Sequence, residues 1–416
     1  MIKMIIYVLI YFFVYQDIAF IPRVYGSYYN ILASIFFIFN IINFLYSKKK
    51  LINKKFLKLI FFLFLVILVY SISLIINNIS LFEINPIRNM LLRIFLDFNY
   101  IIFIINLLKN YKNKEIIFFK GIIYSSFVDI IFSILRFNFD FINDLFKKLY
   151  PPSNIIIRMH LILKERLMGF GGFFFGAGIV FSVVLILIVY MLKNQNITKK
   201  EKLRLSFIYI FSLSMGILIS RTIIVGFLLS ILYFFISSKN KIKILCNLIL
   251  TAVLILFVGV ILFNFLDVDK REWIINFVYI KGIGSLNSML RMYNKIPDNM
   301  KTFLIGDSLW GDVNTEYYMN IDIGFLRMIF FNGIIGLLFQ ILFNWNLTRI
   351  KNRELKKLSR ILFILFLILN LKGFVAYLPI CFLIKILDIF NIKNSNFKFL
   401  EKEYGKYISK CGSNSI

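Results

Sequence analysis

MGILISRTIIVGFLLSILYFF, residues 215–235, holds twenty uncharged and mostly apolar residues and a single charge, Arg221. An arginine at the centre of a membrane-spanning helix costs roughly 2.5–3.5 kcal/mol of insertion free energy. As one helix, the surrounding apolar run 205–236 would be roughly 48 Å long, well above the ~30 Å hydrocarbon core of a bilayer. We therefore predict two helices that form a hairpin and meet at Arg221.

Lysine-rich segments flank this run on both sides, at 193–204 and 237–243. Both can lie in the cytoplasm only if the chain turns between them. Each arm of the hairpin would have about 15 residues, roughly 22 Å, so its tip is expected to be recessed below the outer membrane surface. A recessed arginine needs a partner, and charges inside membranes more often serve function than packing.

The composition extends this membrane interpretation to the whole chain. The 416 residues are 60% hydrophobic, with a mean hydropathy of +0.82. Apolar runs recur throughout, and each bilayer crossing by a helix needs about 20 apolar residues. A transmembrane barrel would instead show alternating strands of about 10 residues. The sequence predicts an all-α, polytopic membrane protein in which residues 1–416 form one integral membrane domain.

The net charge of +28 comes largely from lysines in short segments between apolar runs. The positive-inside rule expects this pattern, which argues against a nucleic-acid partner. The lysine-rich segments are 47–58, 109–115, 193–204, 237–243, 348–360 and 398–410. Placing all six in the cytoplasm predicts about twelve spans with both termini cytoplasmic. These spans are 4–22, 28–46, 56–76, 88–108, 116–136, 172–192, 205–219, 222–236, 244–266, 321–347, 359–371 and 374–390.

Targeting and metal signals are sparse. The first apolar stretch lacks a small-residue cleavage site and is followed at once by another span, so we expect a retained first helix. Cys246, Cys381 and Cys411 show neither a disulfide framework nor metal-ligand spacing. His160 is the only histidine, which excludes a His-pair metal site. No metal site is predicted.

Two long external segments remain in this topology, the first external loop 137–171 and the large external loop 267–320, between spans 9 and 10. Arginines mark the external side, whereas lysines dominate the cytoplasmic loops. An arginine fork binds phosphate oxygens in pairs, while lysine acts as a point charge. External arginines therefore suit an anionic headgroup such as a lipid-linked pyrophosphate; the alternative is pairing with acidic side chains or contact with membrane lipid. The candidates are Arg88, Arg158, Arg166, Arg221 and Arg291.

Asp322 follows the large external loop and begins the next predicted span. It could act as a general base on a sugar hydroxyl, or it could pair with Arg327 or Arg221. Trp310 could stack on a sugar face, or it could anchor the loop at the membrane interface. The glycines in 166–178 permit close helix packing, and a helix N-terminus beside Arg166 would also favour an anion.

Four stretches resemble the Wzy-type O-antigen and capsular polysaccharide polymerases, within the O-antigen ligase-like group. They are RLMGFGGFFFGAGI (166–179), SRTIIVG (220–226), LIGDSLWGD (304–312) and DIGFLRMIFFNGIIG (322–336). LNLKG (369–373) is similar to the late external turn of such proteins. The likeness covers roughly residues 80–390 and consists of similar features that occur in the same order along the chain.

This resemblance implies a cofactor-free, metal-independent, inverting glycosyl transfer on the outer face of the bacterial inner membrane. The growing glycan would leave undecaprenyl pyrophosphate and join a hydroxyl of the next lipid-linked repeat unit. Arg166 and Arg221 would hold the pyrophosphate, with Arg88, Arg158, Arg291 and Trp310 as further substrate contacts. Ligases of this group use a histidine in the second large loop, which here has none; Asp322 is the nearest candidate base.

The implied partners are a lipid-linked oligosaccharide, membrane lipid and a chain-length regulator protein. Two other classes stay open. A polysaccharide flippase would also have about twelve helices and external arginines, but usually with short, even loops. A glycosyltransferase that uses polyprenyl-phosphate sugars would be expected to carry an acidic pair in the first short external loop, 21–30, where none occurs.

Overall fold

The computed structural model describes residues 2–14, 28–47, 54–77, 85–108, 111, 113–149, 167, 169, 174–193, 197–237, 281–311 and 318–389. Most residues in these ranges are helical, and none of them lies in a strand. The structure therefore confirms the all-α class that the hydropathy predicts.

The described part contains fourteen α-helices. In chain order they are α1 (Ile2–Val14), α2 (Tyr28–Ser47), α3 (Lys54–Ile76), α4 (Asn85–Leu107), α5 (Lys114–Asn138), α6 (Asp140–Leu149), α7 (Phe174–Lys193), α8 (Lys199–Ile219), α9 (Ile223–Ser237), α10 (Lys281–Tyr293), α11 (Met300–Ile305), α12 (Gly324–Thr348), α13 (Arg353–Asn370) and α14 (379–389). A short 3-10 helix, Tyr318–Asn320, precedes α12.

Six of these helices are long and apolar enough to cross a membrane, judged over the described ranges: α3, α4, α5, α7, α8 and α12. Shorter apolar helices lie within α1, α2 and α9. Many side chains on α2 and α3 are apolar yet exposed, among them Ile38, Phe61 and Ile75. Apolar surface of this extent is expected of a protein whose solvent is lipid, and is unusual for one surrounded by water.

Local polar signals define where two helices begin. The Thr198 hydroxyl accepts a hydrogen bond from the Glu201 amide at 3.3 Å, which follows the S/T-x-x-E capping pattern at the start of α8. The Asn352 side chain accepts from the Glu354 and Leu355 amides and so caps α13. Because of this cap, α13 begins at Arg353 and takes in much of the predicted lysine-rich segment 348–360.

The predicted hairpin is confirmed, but only its second arm has the predicted length: α9 has 15 residues, whereas α8 has 21, because it begins at Lys199 within the lysine-rich segment. Helices α8 and α9 are separated by the turn 220–222, and the Ile223 amide donates to the Ser220 carbonyl at 3.2 Å. The hydroxyls of Tyr209 and Ser230 lie 2.7 Å apart, and Gly216 faces Ile223. These two contacts, one far from the turn and one beside it, show that the arms run antiparallel.

Polar contacts distinguish two opposite ends of the bundle. We call the end that carries residues 220–222 the hairpin end. At the other, the lysine end, Lys55 pairs with Asp388 and Lys120 with Glu201. Lys193 donates to the Ser237 hydroxyl at 2.8 Å, so the ends of α7 and α9 also meet there. This separation matches the grouping of lysine-rich segments used to predict the topology.

Helix α12 is broken in its interior at Gly333, whose backbone has φ +66° and ψ −179°. The break leaves carbonyl groups without helical partners, and a neighbouring segment satisfies them. The Asp307 amide donates to the Phe330 carbonyl at 2.7 Å, and the Ser308 amide to the Phe331 carbonyl at 3.0 Å. The Ser73 hydroxyl on α3 bonds to the Ile305 carbonyl at 2.7 Å, which fixes the inserted segment from the other side.

Parts of both predicted external loops are helical. Within 137–171, α5 extends to Asn138 and α6 follows at once. Within 267–320, α10 and α11 are helices. The rest of both loops, apart from Phe139, Leu167, Gly169 and residues 294–299, 306–311 and 318–320, lies outside the described residues, as does the predicted span 244–266.

Candidate functional site

The hairpin turn presents Arg221 at the end of the bundle. Ser220 ends α8 because its backbone is extended (φ −154°, ψ 125°), and α9 restarts at Ile223. Arg221 lies in the turn between them and is partly exposed. Beside it, the buried Thr222 accepts a hydrogen bond from the Lys372 ammonium group, with Nζ 3.0 Å from Oγ1. The turn therefore brings a second cation close to Arg221.

Lys372 is held in place by the turn that follows α13. The Asn370 side chain closes this turn, donating to the Val375 carbonyl at 3.1 Å and accepting from the Val375 amide at 3.0 Å. The Lys372 ammonium lies 6.0 Å from the centre of the Phe175 ring. Gly373 packs against the same ring so closely that a Cβ there would lie 2.8 Å from it. The exposed lysine thus stands on a rigid support.

Arg327, one turn into α12, is the third cation at this end. Its Nη1 lies 3.9 Å from Asp322 Oδ1, and its Cζ lies 4.2 Å from the centre of the Trp310 ring. The Arg327 side chain is only 10% exposed, whereas that of Asp322 is 53% exposed. The predicted pairing of Asp322 with Arg327 is therefore present, and the Asp322 carboxylate is still exposed to solvent. A cation over an aromatic face is itself favourable.

The three cations are connected through packed residues. Gly324, at the start of α12, lies against Asn370 and Gly373. Phe374 follows these residues and contacts Trp310 edge to face at a ring separation of 4.7 Å. We call Arg221, Lys372 and Arg327 the cation cluster. Two guanidinium groups and one ammonium group bind phosphate oxygens more favourably than neutral ligands.

A cavity of about 260 Å³ adjoins the cation cluster on the side of Trp310. We call it the Trp310 cavity; its lining includes Trp310, Phe374, Tyr377, Asn89 and Arg93. Behind this lining, Asp97 is fully buried. It accepts a hydrogen bond from the Tyr377 hydroxyl at 2.6 Å and lies 3.8 Å from Arg93 Nε.

The other predicted substrate contacts are spread more widely. Arg88 is exposed in the first turn of α4, one residue before the cavity-lining Asn89. Arg291 is exposed in the last turn of α10. The nearby Tyr293 donates to the Leu371 carbonyl at 2.7 Å, which places this end of α10 beside the Lys372 turn. Arg158 and Arg166 lie outside the described residues.

The burial of two charged side chains on α5 was not predicted. Asp129 and Arg136 are each 1% exposed. The Tyr11 hydroxyl donates to Asp129 at 3.4 Å, and Gly169 packs directly on the Asp129 carboxylate. Leu167 is buried as well, so the last part of the first external loop is anchored on α5. The sequence does hold a signal for such residues, which is a charge within a predicted apolar span, as at Asp129 and Asp97.

Among the described residues, no group of three or more His, Cys, Asp or Glu side chains could hold a metal ion. Comparison of the chain with protein-family models, with curated proteins and with solved structures finds no match. The geometry of the hairpin end therefore carries the functional argument, together with the sequence likeness described above.

Proposed function

We propose that the protein is a polysaccharide polymerase of the Wzy type, which joins lipid-linked repeat units on the outer face of the bacterial inner membrane. The observation that carries this proposal is the convergence at the hairpin end. There Lys372, from one of the family-like stretches, donates to Thr222, which follows Arg221 in another, and Arg327 lies over the Trp310 ring. These stretches are distant in sequence, and a site for a lipid pyrophosphate would need them together.

In the proposed reaction the cation cluster holds the pyrophosphate of the growing chain. A hydroxyl oxygen of the acceptor unit attacks the anomeric carbon. The bond between that carbon and the pyrophosphate oxygen breaks, and the electron pair leaves with the pyrophosphate. Because this leaving group departs as an anion, it needs positive charge aimed at it more than it needs a proton. Arg221 and Arg327 would supply forked donors, and Lys372 a point charge.

Asp322 is the candidate base in this proposal. Its exposed carboxylate could take the proton that the acceptor hydroxyl loses as the glycosidic bond forms. The alternative role is structural, since the same carboxylate pairs with Arg327 and could orient it over Trp310. Either role places Asp322 beside the reacting groups. Holding two lipid-linked substrates at one surface would make their joining effectively unimolecular.

A flippase is the second candidate, and one observation favours it. Transporters commonly use membrane helices that are broken in the middle, as α12 is at Gly333. In transporters, however, the broken backbone lines the substrate path. Here Asp307 and Ser308 fill the break and bond to its carbonyls. The break therefore supports a fixed outer segment better than it supports a moving gate.

The finer topology belongs to the same proposal: about twelve spans, both termini and the lysine end in the cytoplasm, and the hairpin end outside. In a cysteine-free background, Asn287→Cys should react with a membrane-impermeant thiol reagent on intact spheroplasts. Asn196→Cys should react only after the membrane is opened, because it lies in a lysine-rich segment. The reverse labelling pattern would place the cation cluster on the wrong side and remove the proposed function.

Deleting the gene should leave surface glycan that carries a single repeat unit on its normal acceptor. A polymerase only lengthens the chain, so export and attachment of one unit should continue. The measurement is a gel ladder of surface glycan from the deletion strain and from the complemented strain. Loss of all surface repeats would indicate the flippase instead, and long polymer left on the lipid carrier would indicate a ligase.

The same reaction should run with purified protein and lipid-linked repeat units. Lengthening should continue in EDTA, since the proposed transfer uses protein cations where other glycosyltransferases use a metal ion to neutralise the leaving pyrophosphate. Inhibition by EDTA that added Mg²⁺ or Mn²⁺ reverses would contradict the metal-independent mechanism.

A further inference from the structure

The Trp310 cavity has two chemically different walls. Trp310 and Phe374 form an aromatic wall, with their rings 4.7 Å apart and nearly perpendicular. Asn89, Arg93 and Tyr377 form a polar wall. A pyranose ring has the same division, because its C–H faces are apolar while its rim carries hydroxyl groups. Cavities that combine aromatic surface with a few polar groups orient small ligands through both kinds of contact.

The polar wall offers both donors and acceptors. The Tyr377 hydroxyl donates a hydrogen bond to Asp97 at 2.6 Å, so its oxygen can still accept one. Asn89 carries one amide donor group and one carbonyl acceptor, and its side chain is exposed at the edge of the cavity. A sugar hydroxyl is both donor and acceptor, and this wall can satisfy both functions.

The charge of this wall is close to balanced. Arg93 lies 3.8 Å from the fully buried Asp97, one helical turn away on α4. The neighbouring cation cluster differs, because it sets three cations against the Asp322 carboxylate among the residues placed there. A phosphate would therefore favour the cation cluster, while the cavity favours an uncharged ligand.

The cavity is small, with a volume of about 260 Å³. Small-molecule sites commonly have volumes of about 300–1,000 Å³, so this cavity suits a ligand of about one sugar ring. Trp310 separates the cavity from Arg327, which lies over the same ring system. A glycan held at the cation cluster could therefore place one of its sugars in the cavity.

We propose that the Trp310 cavity binds one neutral sugar ring, stacked on Trp310 and hydrogen-bonded to Asn89 and to the Tyr377–Asp97 pair. That this ring belongs to a lipid-linked glycan rests on the proposed function. The binding of a neutral sugar does not, and it can be tested alone.

The test is saturation-transfer NMR on the full-length protein in nanodiscs. The probes are free glucose, galactose, mannose, rhamnose and N-acetylglucosamine, with glucose 1-phosphate as a charged comparison. At least one neutral sugar should receive saturation from the protein. Asn89→Trp should weaken that signal about tenfold, because an added indole at the exposed edge blocks entry without disturbing the core. Trp310→Leu should weaken it similarly by removing the stacking surface.

Trp345→Leu is the matched control, since Trp345 is an exposed tryptophan on the same helix as Arg327 but packs only against Phe363 among the described rings. Its signal should equal that of the wild type. The proposal is overturned if no neutral sugar receives saturation, if Asn89→Trp leaves the signal intact, or if glucose 1-phosphate alone binds. Sugar binding without glycan lengthening would keep this proposal and reject the polymerase.

Discussion

Arg221→Lys should reduce glycan lengthening roughly 10- to 100-fold, because a hydrogen bond to a charged group contributes about 1.5–3 kcal/mol. The substitution keeps the positive charge but removes the planar fork that can hold two phosphate oxygens at once. The measurement is the rate at which the purified variant extends lipid-linked repeat units, together with the ladder length in a complemented deletion strain.

The matched control is Arg360→Lys, since Arg360 is exposed on α13 and no family-like stretch contains it. It should give wild-type ladders. Wild-type ladders from Arg221→Lys would show that a point charge is sufficient, and the role of Arg221 as a pyrophosphate clamp would be rejected. Thermal unfolding of both variants should match the wild type, so that a loss of activity is not a loss of fold.

Gly333→Ala should destabilise the protein by about 3 kcal/mol or more, because its backbone conformation is essentially restricted to glycine and an overlap adds to that strain. A Cβ at this position would lie 2.0 Å from the Leu304 carbonyl oxygen, a backbone atom that cannot move aside alone. The melting temperature should fall by roughly 5 °C or more, measured by fluorescence-detected size exclusion after heating.

Gly176→Ala is the matched control, since it is a helical glycine with nothing within 4 Å of a built Cβ. It should leave stability unchanged or raise it by about 0.5–1 kcal/mol, as alanine favours the helix. If Gly333→Ala melts with the wild type, then α12 tolerates a continuous helix and the inserted segment 304–308 is not fixed as described.

The hairpin could be predicted from the sequence because it depends on one-dimensional quantities. A run too long for one span, one interior arginine and lysines at both ends leave a turn as the least costly arrangement. The same quantities predicted most of the helices. A local cap explains why α8 begins at Lys199 instead of 205 and α13 at Arg353 instead of 359. Helix α14 begins at 379 instead of 374, after the turn that Asn370 closes.

The composition of the site could be predicted only in part. Trp310, Asp322 and the pairing of Asp322 with Arg327 were predicted, but nothing in the spacing indicated that Arg327 would also lie over Trp310. Lys372 was not predicted as a site residue, because a lysine at the edge of an apolar run is typical of an ordinary charge at the membrane surface. The break at Gly333 was missed because the apolar pattern continues through it. These features depend on contacts between distant segments, which hydropathy does not record.

The short second arm of the hairpin also acts on the lipid around it. Helix α9 has 15 residues, about 22 Å along its axis, against a hydrocarbon core of ~30 Å. A bilayer meets such a mismatch by thinning locally, at a cost of fractions of a kcal/mol per Å. In the proposed topology the dip would be deepest at Arg221. In this thinned region the headgroup of a polyprenyl carrier would lie deeper, as the headgroups of the neighbouring lipids do. Its pyrophosphate would then reach Arg221 while the carrier stays in the membrane.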